Sequence, residues 1–333
     1  MKLPEIIPCD DLDEAIDHYT KQLGYRLDMI KPADAPREAL LSKGGESLRL
    51  VTSPKSNVQS PKSKGVTDFG PETLDVGPAS ESEWIVGRAG MEYRDLIPDR
   101  LGGKVIASHI RLTEGGEVPD YVHYHKVDFQ MIYCKKGRIK VVYEDQGPPF
   151  WLKTGDCVLQ PPEIRHRVLE CTAGAEVIEV SMPAEHETWV EHDITLSTSE
   201  MKPDRIFSGQ QFAHRKSSEI PPIKAYQDDI RDFNLAPESD NWANVIHISF
   251  EAGVEVAETG GMAGLTQFCF IINGNVTLRC GEKVLDHDAS EDVGYETGNG
   301  FLIPPFTLTK IICTPETELL MVTIDIERSA TSQ

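Results

Sequence analysis

The sequence predicts a mainly β protein, with two β barrels behind a small α+β module. Three observations predict it. The chain has 333 residues, enough for two or three domains. From about residue 83 onward, short runs rich in Val, Ile, Tyr and Phe alternate with Gly, Pro and acidic turns. No long helical pattern interrupts them, which favours a sandwich or barrel over a parallel-sheet fold. This stretch also repeats itself. Gln130 and Gln267 each open an apolar run that ends on a glycine, Gly137 and Gly274. Gly155 leads through DCVLQ to Pro161-Pro162, and Gly298 leads through NGFLI to Pro304-Pro305. The equivalent positions lie 137 and 143 residues apart, which implies two β domains of about 120–130 residues each.

The elements follow in order. In residues 1–55, PEIIPC reads as a strand and Asp11 or Asp13 as the cap of a helix. Leu12, Ile16, Tyr19 and Leu23 form its apolar stripe, and Gly24 ends it. YRLDMI, ALLSK and SLRLV then read as strands. A module this small is expected to pack on something else. Residues 56–82, rich in Ser, Pro, Gly and Lys, read as an extended linker. The first barrel is expected over 83–200 and the second over 201–333, with the boundary around TLSTSEMKPD. Strands of the first are KVIASHIRL, VDFQMIYC, RIKVVYE, DCVLQPP and EVIEVSMP; the second has VIHISF, TQFCFII, NVTLRC, GFLIPP, KIICT and LLMVTIDI.

Composition narrows the function classes. Lys+Arg is 33 and Asp+Glu is 54, a formal net charge of −21. That argues against a nucleic-acid or anionic-membrane partner, but not against a small anionic ligand. No apolar run approaches the ~20 residues that span a bilayer, and the opening MKLPEIIPCDDLDE lacks a signal-peptide core. Seven cysteines without CxxC spacing suggest reduced thiols and a cytoplasmic protein.

The chemistry-bearing pattern is His123-Tyr124-His125. Alternate strand residues share a face, so both imidazoles point the same way, as in a metal half-site. Gln130 follows five residues later, and PPEIRH brings His166 on another strand. Parity puts Gln130, Ile132 and Cys134 on one inward face, and Val168 and Glu170 on the face of His166. Arg111 is either a solvated strand residue or, facing inward, an anchor for a carboxylate or phenolate. Tyr121, Phe150 and Trp151 either line the mouth of the site or are ordinary packing residues.

The pattern resembles the cupin family. Gly116, His123, His125, Gln130 and Gly137 match its first motif, with Gln130 where Glu is usual. Gly155, Pro161 and His166 match its second, with Glu163 in place of a glycine. The resemblance implies two cupin (double-stranded β-helix, jelly-roll) barrels and one divalent metal ion on His123, His125, His166 and Gln130. Gln carries no charge and takes no proton, so the resemblance leaves the base open, with Glu170 as a candidate. In the second barrel the ligand positions become Gly260, Met262 and Thr309, so a barrel without metal is expected there. His247 and His287 are read as surface or hydrogen-bonded residues. Residues 1–55 are similar to one half-module of the glyoxalase and bleomycin-resistance superfamily, through Asp11-Leu12-Asp13, Ala15, Ile16, Tyr19 and Leu23-Gly24-Tyr25. Pro4 and Val51 stand near that superfamily's metal positions and cannot ligate, so the module is read as non-catalytic.

The resemblance implies an enzyme, first an Fe(II) dioxygenase acting with O₂ on a small chelating enol, diketone or hydroxyketone. Mn, Ni, Co, Cu or Zn suit the same ligands. The alternatives are a non-redox isomerase or decarboxylase, and a small-molecule binding or regulatory protein. Substrate contacts are assigned to Arg111, Tyr121 and Trp151. A homodimer is expected, although two barrels in one chain can also satisfy each other.

Overall fold

The computed structural model describes residues 3–52, 83–97, 99–225, 228–257, 264–280, 292–307 and 309–328. The expected linker, 56–82, lies outside the described residues, as do Gly260, Met262 and His287.

The N-terminal module runs β1 (Glu5–Cys9), α1 (Leu12–Asp17), β2 (Arg26–Lys31), β3 (Glu38–Lys43) and β4 (Glu46–Thr52). Asp11 is the cap: its side chain accepts from Glu14 N at 3.0 Å. The helix continues as one π-helical turn over His18–Gln22. Leu12, Ile16 and Tyr19 pack on Ala39, Leu41 and Leu50, as the stripe predicts, whereas Leu23 stays exposed.

The first barrel begins with β5 (Ile85–Val86), β6 (Glu92–Asp95), β7 (Ile106–Leu112) and β8 (Gly116–Glu117). It continues with β9 (His123–His125), β10 (Phe129–Lys136), β11 (Arg138–Tyr143) and β12 (Phe150–Lys153). β13 (Cys157–Leu159), β14 (His166–Cys171), β15 (Ala175–Met182) and β16 (Thr188–Val190) complete the run. After a short hairpin, β17 (Ile206–Phe207) with β18 (Gln210–Gln211), comes β19 (Ala213–Arg215). β19 pairs with β13, so the first barrel's sheet extends past the boundary expected near residue 200. One sheet runs β19-β13-β10-β15-β7-β6-β5. The other runs β16-β9-β14-β11-β12 and is continued through β2 into the N-terminal module. The module thus packs by sheet extension: Thr188 and Trp189 pair with Ile30 and Met29 on one side and with His125 and Tyr124 on the other.

The second barrel comprises β20 (Ile223–Ala225), β21 (Asp228–Asp232), β22 (Ala243–Phe250), β23 (Val254–Ala257) and β24 (Thr266–Asn273). β25 (Asn275–Cys280), β26 (Val293–Glu296), β27 (Gly300–Ile303), β28 (Thr309–Cys313) and β29 (Thr317–Ile324) follow. Its sheets run β20-β21-β22-β29-β24-β27 and β23-β28-β25-β26.

The sequence repeat is a backbone repeat. Gly137 and Gly274 turn β10 into β11 and β24 into β25 with φ of +72° and +93°. A Cβ at either would meet a neighbouring oxygen at 2.5 Å, so both steric and conformational needs demand glycine. Glu163, where the cupin motif usually has glycine, takes a left-handed φ of 60°, and so does Phe306 at the matching place. Met131↔Leu159 and Phe268↔Leu302 are equivalent ladder pairs, as are Tyr143↔His166 and Cys280↔Thr309.

The barrels meet sheet to sheet. Phe129, Met131, Ile178 and Val180 of the first share one buried core with Phe268, Phe270, Leu320 and Val322 of the second. Period two then sends the alternate residues of each strand into that barrel's own interior. Ile132, Cys134 and Val177 do so in the first, Cys269, Ile271 and Leu319 in the second.

Candidate metal centre

β9 and β14 lie side by side with His123 opposite His166, and two-residue spacing puts His125 on the same face as His123. The three imidazoles converge: one ring nitrogen from each lies within 4.8 Å of the others. All three residues are buried, at 0%, 5% and 6% exposure for His123, His125 and His166.

Their other nitrogens fix the tautomers. His123 Nδ1 donates to the Tyr121 carbonyl at 2.8 Å, and His166 Nδ1 to the Ile164 carbonyl at 2.9 Å. A carbonyl only accepts, so both rings carry hydrogen on Nδ1 and present a lone pair at Nε2. His125 Nδ1 is held by Thr188 Oγ1 at 2.9 Å. His123 Nε2 is buried with no hydrogen-bond partner. Burial pushes all three far below the usual histidine range, His166 to about 3, and the Arg88 charge adds to the effect. Three neutral rings that converge, two of them with Nε2 lone pairs turned inward and one of those nitrogens orphaned, fit a divalent transition metal.

Gln130 faces the same interior and is 1% exposed. Its Oε1 accepts from Gln160 Nε2 at 2.7 Å, and the same Gln160 nitrogen lies 3.1 Å from His166 Nε2. Tyr143 Oη donates to Gln160 Oε1 at 3.0 Å, and the Tyr143 ring stacks on His166. A cavity of about 50 Å³ opens beside these groups. Met91, Ile110, Ile132 and Val141 give it apolar walls, and Arg88, His125, Tyr143, Gln160, His166 and Glu179 supply its polar atoms. Burial pushes the Glu179 carboxyl above the usual range, while Gln130, Arg88 and Ser181 oppose that. Arg88 enters from a tight turn after β5 and pairs with Asp120, which also accepts from Val168 N at 2.9 Å. Burial opposes the guanidinium charge, and Asp120 together with Tyr93, Tyr121 and Glu179 more than offsets it.

Three expected site residues face elsewhere. Glu170 does not join His166 on the inward face. A register shift between Lys140 and Val141, where β11 pairs with β14, breaks the parity after Val168. Glu170 is turned outward to Lys140 at 3.6 Å, and Cys171 takes the inward place. Arg111 lies on the face of β7 opposite to Ile110 and Leu112, paired with Glu92 and stacked on Trp84 at 4.0 Å. Trp151 sits outside β12 against Arg138 and Lys140, while Leu152 points inward. Tyr121 is beside the site, edge-on to His123 with centroids 5.9 Å apart.

Sequence reasoning missed Arg88, Gln160, Glu179 and Thr188. Two carried a signal: Glu179 is a lone acid on the face of Val177, and Gln160 directly precedes the diproline where the repeat has Ile303. Arg88 and Thr188 arrive from outside both motifs and carried none.

In the second barrel, Thr309 occupies the ladder position of His166 and is fully buried. Among the described residues, the three histidines are the one group of His, Cys, Asp and Glu suited to a metal. His247 is neither exposed nor hydrogen-bonded through Nε2; it is buried on the seam beside Tyr133. The six cysteines with described side chains are free, and among the described residues no helix is long and apolar enough to cross a membrane.

Comparison with known proteins agrees with this architecture. Residues 108–181 match the cupin domain family model. The structure is similar to oxalate decarboxylase from Bacillus subtilis, with a TM-score of 0.55 and 13% identity over 74% of each chain. It is similar to the formate complex of Lactobacillus farciminis oxalate decarboxylase, with a TM-score of 0.56, 11% identity, and coverage of 74% of this chain and 85% of that one. It is also similar to the 11S globulin of Wrightia tinctoria, with a TM-score of 0.57, 12% identity, and coverage of 77% and 85%. No curated protein sequence matches the chain. Fold and site together define a two-barrel β protein with a metal-capable centre in one barrel. Residues 108–181 carry a cupin domain.

Proposed function

We propose that the first barrel is the active site of a metal-dependent enzyme that cleaves a small enolisable oxygen chelate with O₂. The substrate class is an enol, β-diketone or hydroxyketone. The observation that supports this reading is the donor set, three converging neutral imidazoles, two with Nε2 lone pairs turned inward, and Gln130 where a carboxylate would otherwise sit. His123, His125, His166 and Gln130 would hold a divalent ion, Fe(II) by preference, which would supply Lewis acidity and redox access to O₂.

The chain's own residues supply the rest. Glu179, on the cavity wall, is placed to take the proton that leaves the substrate on enolisation. Arg88, anchored by Asp120, puts a positive charge near the negative charge that results. Met91, Ile110, Ile132 and Val141 keep water out and strengthen both effects. Oxygen consumption by the iron-loaded protein on small diketones and hydroxyketones is the test. Glu179→Gln is expected to lower turnover by about 10²-fold or more while leaving metal content unchanged. Unchanged turnover in that variant would contradict the role of Glu179.

A second reading is a non-redox isomerisation or decarboxylation. Glu179 favours it, because a carboxyl biased by burial toward its protonated form can return a proton to the product. Turnover at the same rate without O₂ would select this reading.

A further inference from the structure

Gln160 lies between two of the groups expected to hold the ion. Its Nε2 is 2.7 Å from Gln130 Oε1 and 3.1 Å from His166 Nε2. The chemistry of its neighbours fixes the orientation of the amide. His166 donates through Nδ1 to a backbone carbonyl, so its Nε2 only accepts. The group facing it must therefore be the amide NH₂, with the amide oxygen turned to the Tyr143 hydroxyl. Gln160 is 1% exposed, so no solvent competes for these bonds.

An imidazole nitrogen has one lone pair in the ring plane. It cannot accept a hydrogen bond and ligate an ion at once. We propose that Gln160 is a placeholder for the ion. In the metal-free chain its amide satisfies two of the acceptors that the ion will use, Gln130 Oε1 and His166 Nε2, and loading requires it to release His166. The released N–H stays at the cavity wall, where it needs an oxygen acceptor such as the substrate provides. This rests on the metal-enzyme reading above and adds to it a residue at an unspecified position within the second motif.

The second barrel supports the link between Gln160 and metal. It keeps a glutamine at the Gln130 position, Gln267, but has Ile303 across the ladder and Thr309 in place of His166. Gln267 Oε1 is left buried without a partner. The amide donor thus goes with the histidine rather than with the retained glutamine.

The experiment is a cobalt titration of the full-length protein, followed by visible absorption. Gln160→Met removes both amide bonds at similar volume, and Gln160→Leu serves as a second variant should the first fail to fold. Loading of the wild type breaks a hydrogen bond that the variants lack, so they are expected to bind Co²⁺ about three- to tenfold more tightly. In wild-type protein labelled with ¹⁵N, the Gln160 side-chain amide resonances are expected to shift on addition of Zn²⁺. Weaker cobalt binding in the variants would make Gln160 a ligand and overturn the proposal, and unchanged affinity would overturn it as well. A wild-type chain that takes up no cobalt would overturn the metal reading itself.

Discussion

The two barrels share a backbone and differ in a handful of inward side chains. Across the ladder from Gln130 in the first barrel stands Gln160, and the next inward position on β15 is Glu179. In the same register of the second barrel stand Ile303 and Met321 beside Gln267. His166 opposite Tyr143 becomes Thr309 opposite Cys280. The left-handed turns, the diproline corners and the seam are common to both. The fold therefore resides in turns and strand register, and the chemistry in about four positions that the register points inward. The second barrel fills its interior with Phe301, Ile303, Leu319 and Met321, whereas the first keeps buried polar groups that burial disfavours.

The largest effect expected from breaking this contrast is on metal content. His123→Ala with His125→Ala should abolish bound metal while circular dichroism reports a folded protein. Full metal content in the double variant would place the site elsewhere.

The next effect is on acid stability of the metal-free protein. His166 is held at about 3, far below an unfolded histidine near ~6.5. Between those values the unfolded chain binds a proton that the folded chain does not. Stability is therefore retained above about pH 6.5 and lost as pH falls toward 3. His166→Thr, which copies Thr309, should flatten that fall by up to ~1.4 kcal/mol per pH unit. Urea unfolding in chelator at pH 7 and pH 5 measures it, and an unchanged difference between the two would contradict the assignment.

The smallest effect is expected from Thr309→Ala. Metal content should not change, and loss of this buried residue's hydroxyl should cost about 1 kcal/mol or less of stability. Loss of metal would show that the second barrel contributes to the site.

Much of this contrast was legible in the sequence, because glycine, proline and alternating patterns record backbone geometry directly. The repeat, the strands and the convergence of His123, His125 and His166 all follow from such marks. Thr309 was legible as the counterpart of His166 because both lie at the same distance from a diproline corner. The failures have local causes. Glu170 was misplaced because a bulge is a one-residue event with no compositional signature, and one residue is enough to turn a side chain from inside to outside. Arg111 and Trp151 failed because strand parity gives two faces without saying which is inner. Both stack in outward cation–π contacts, Trp151 beneath Arg138 and Arg111 over Trp84. Arg88 and Thr188 were invisible because tertiary structure delivers them: a turn after β5 for one, and for the other a strand wedged between the N-terminal module and β9.

The account's central claim is one metal site, confined to the first barrel. Elemental analysis of untagged protein, purified anaerobically without chelator or metal-affinity resin, tests it most directly. The account predicts about one transition-metal ion per chain in the wild type and none in the His123→Ala, His125→Ala double variant. Two ions per chain, or a double variant that retains its metal, would contradict it.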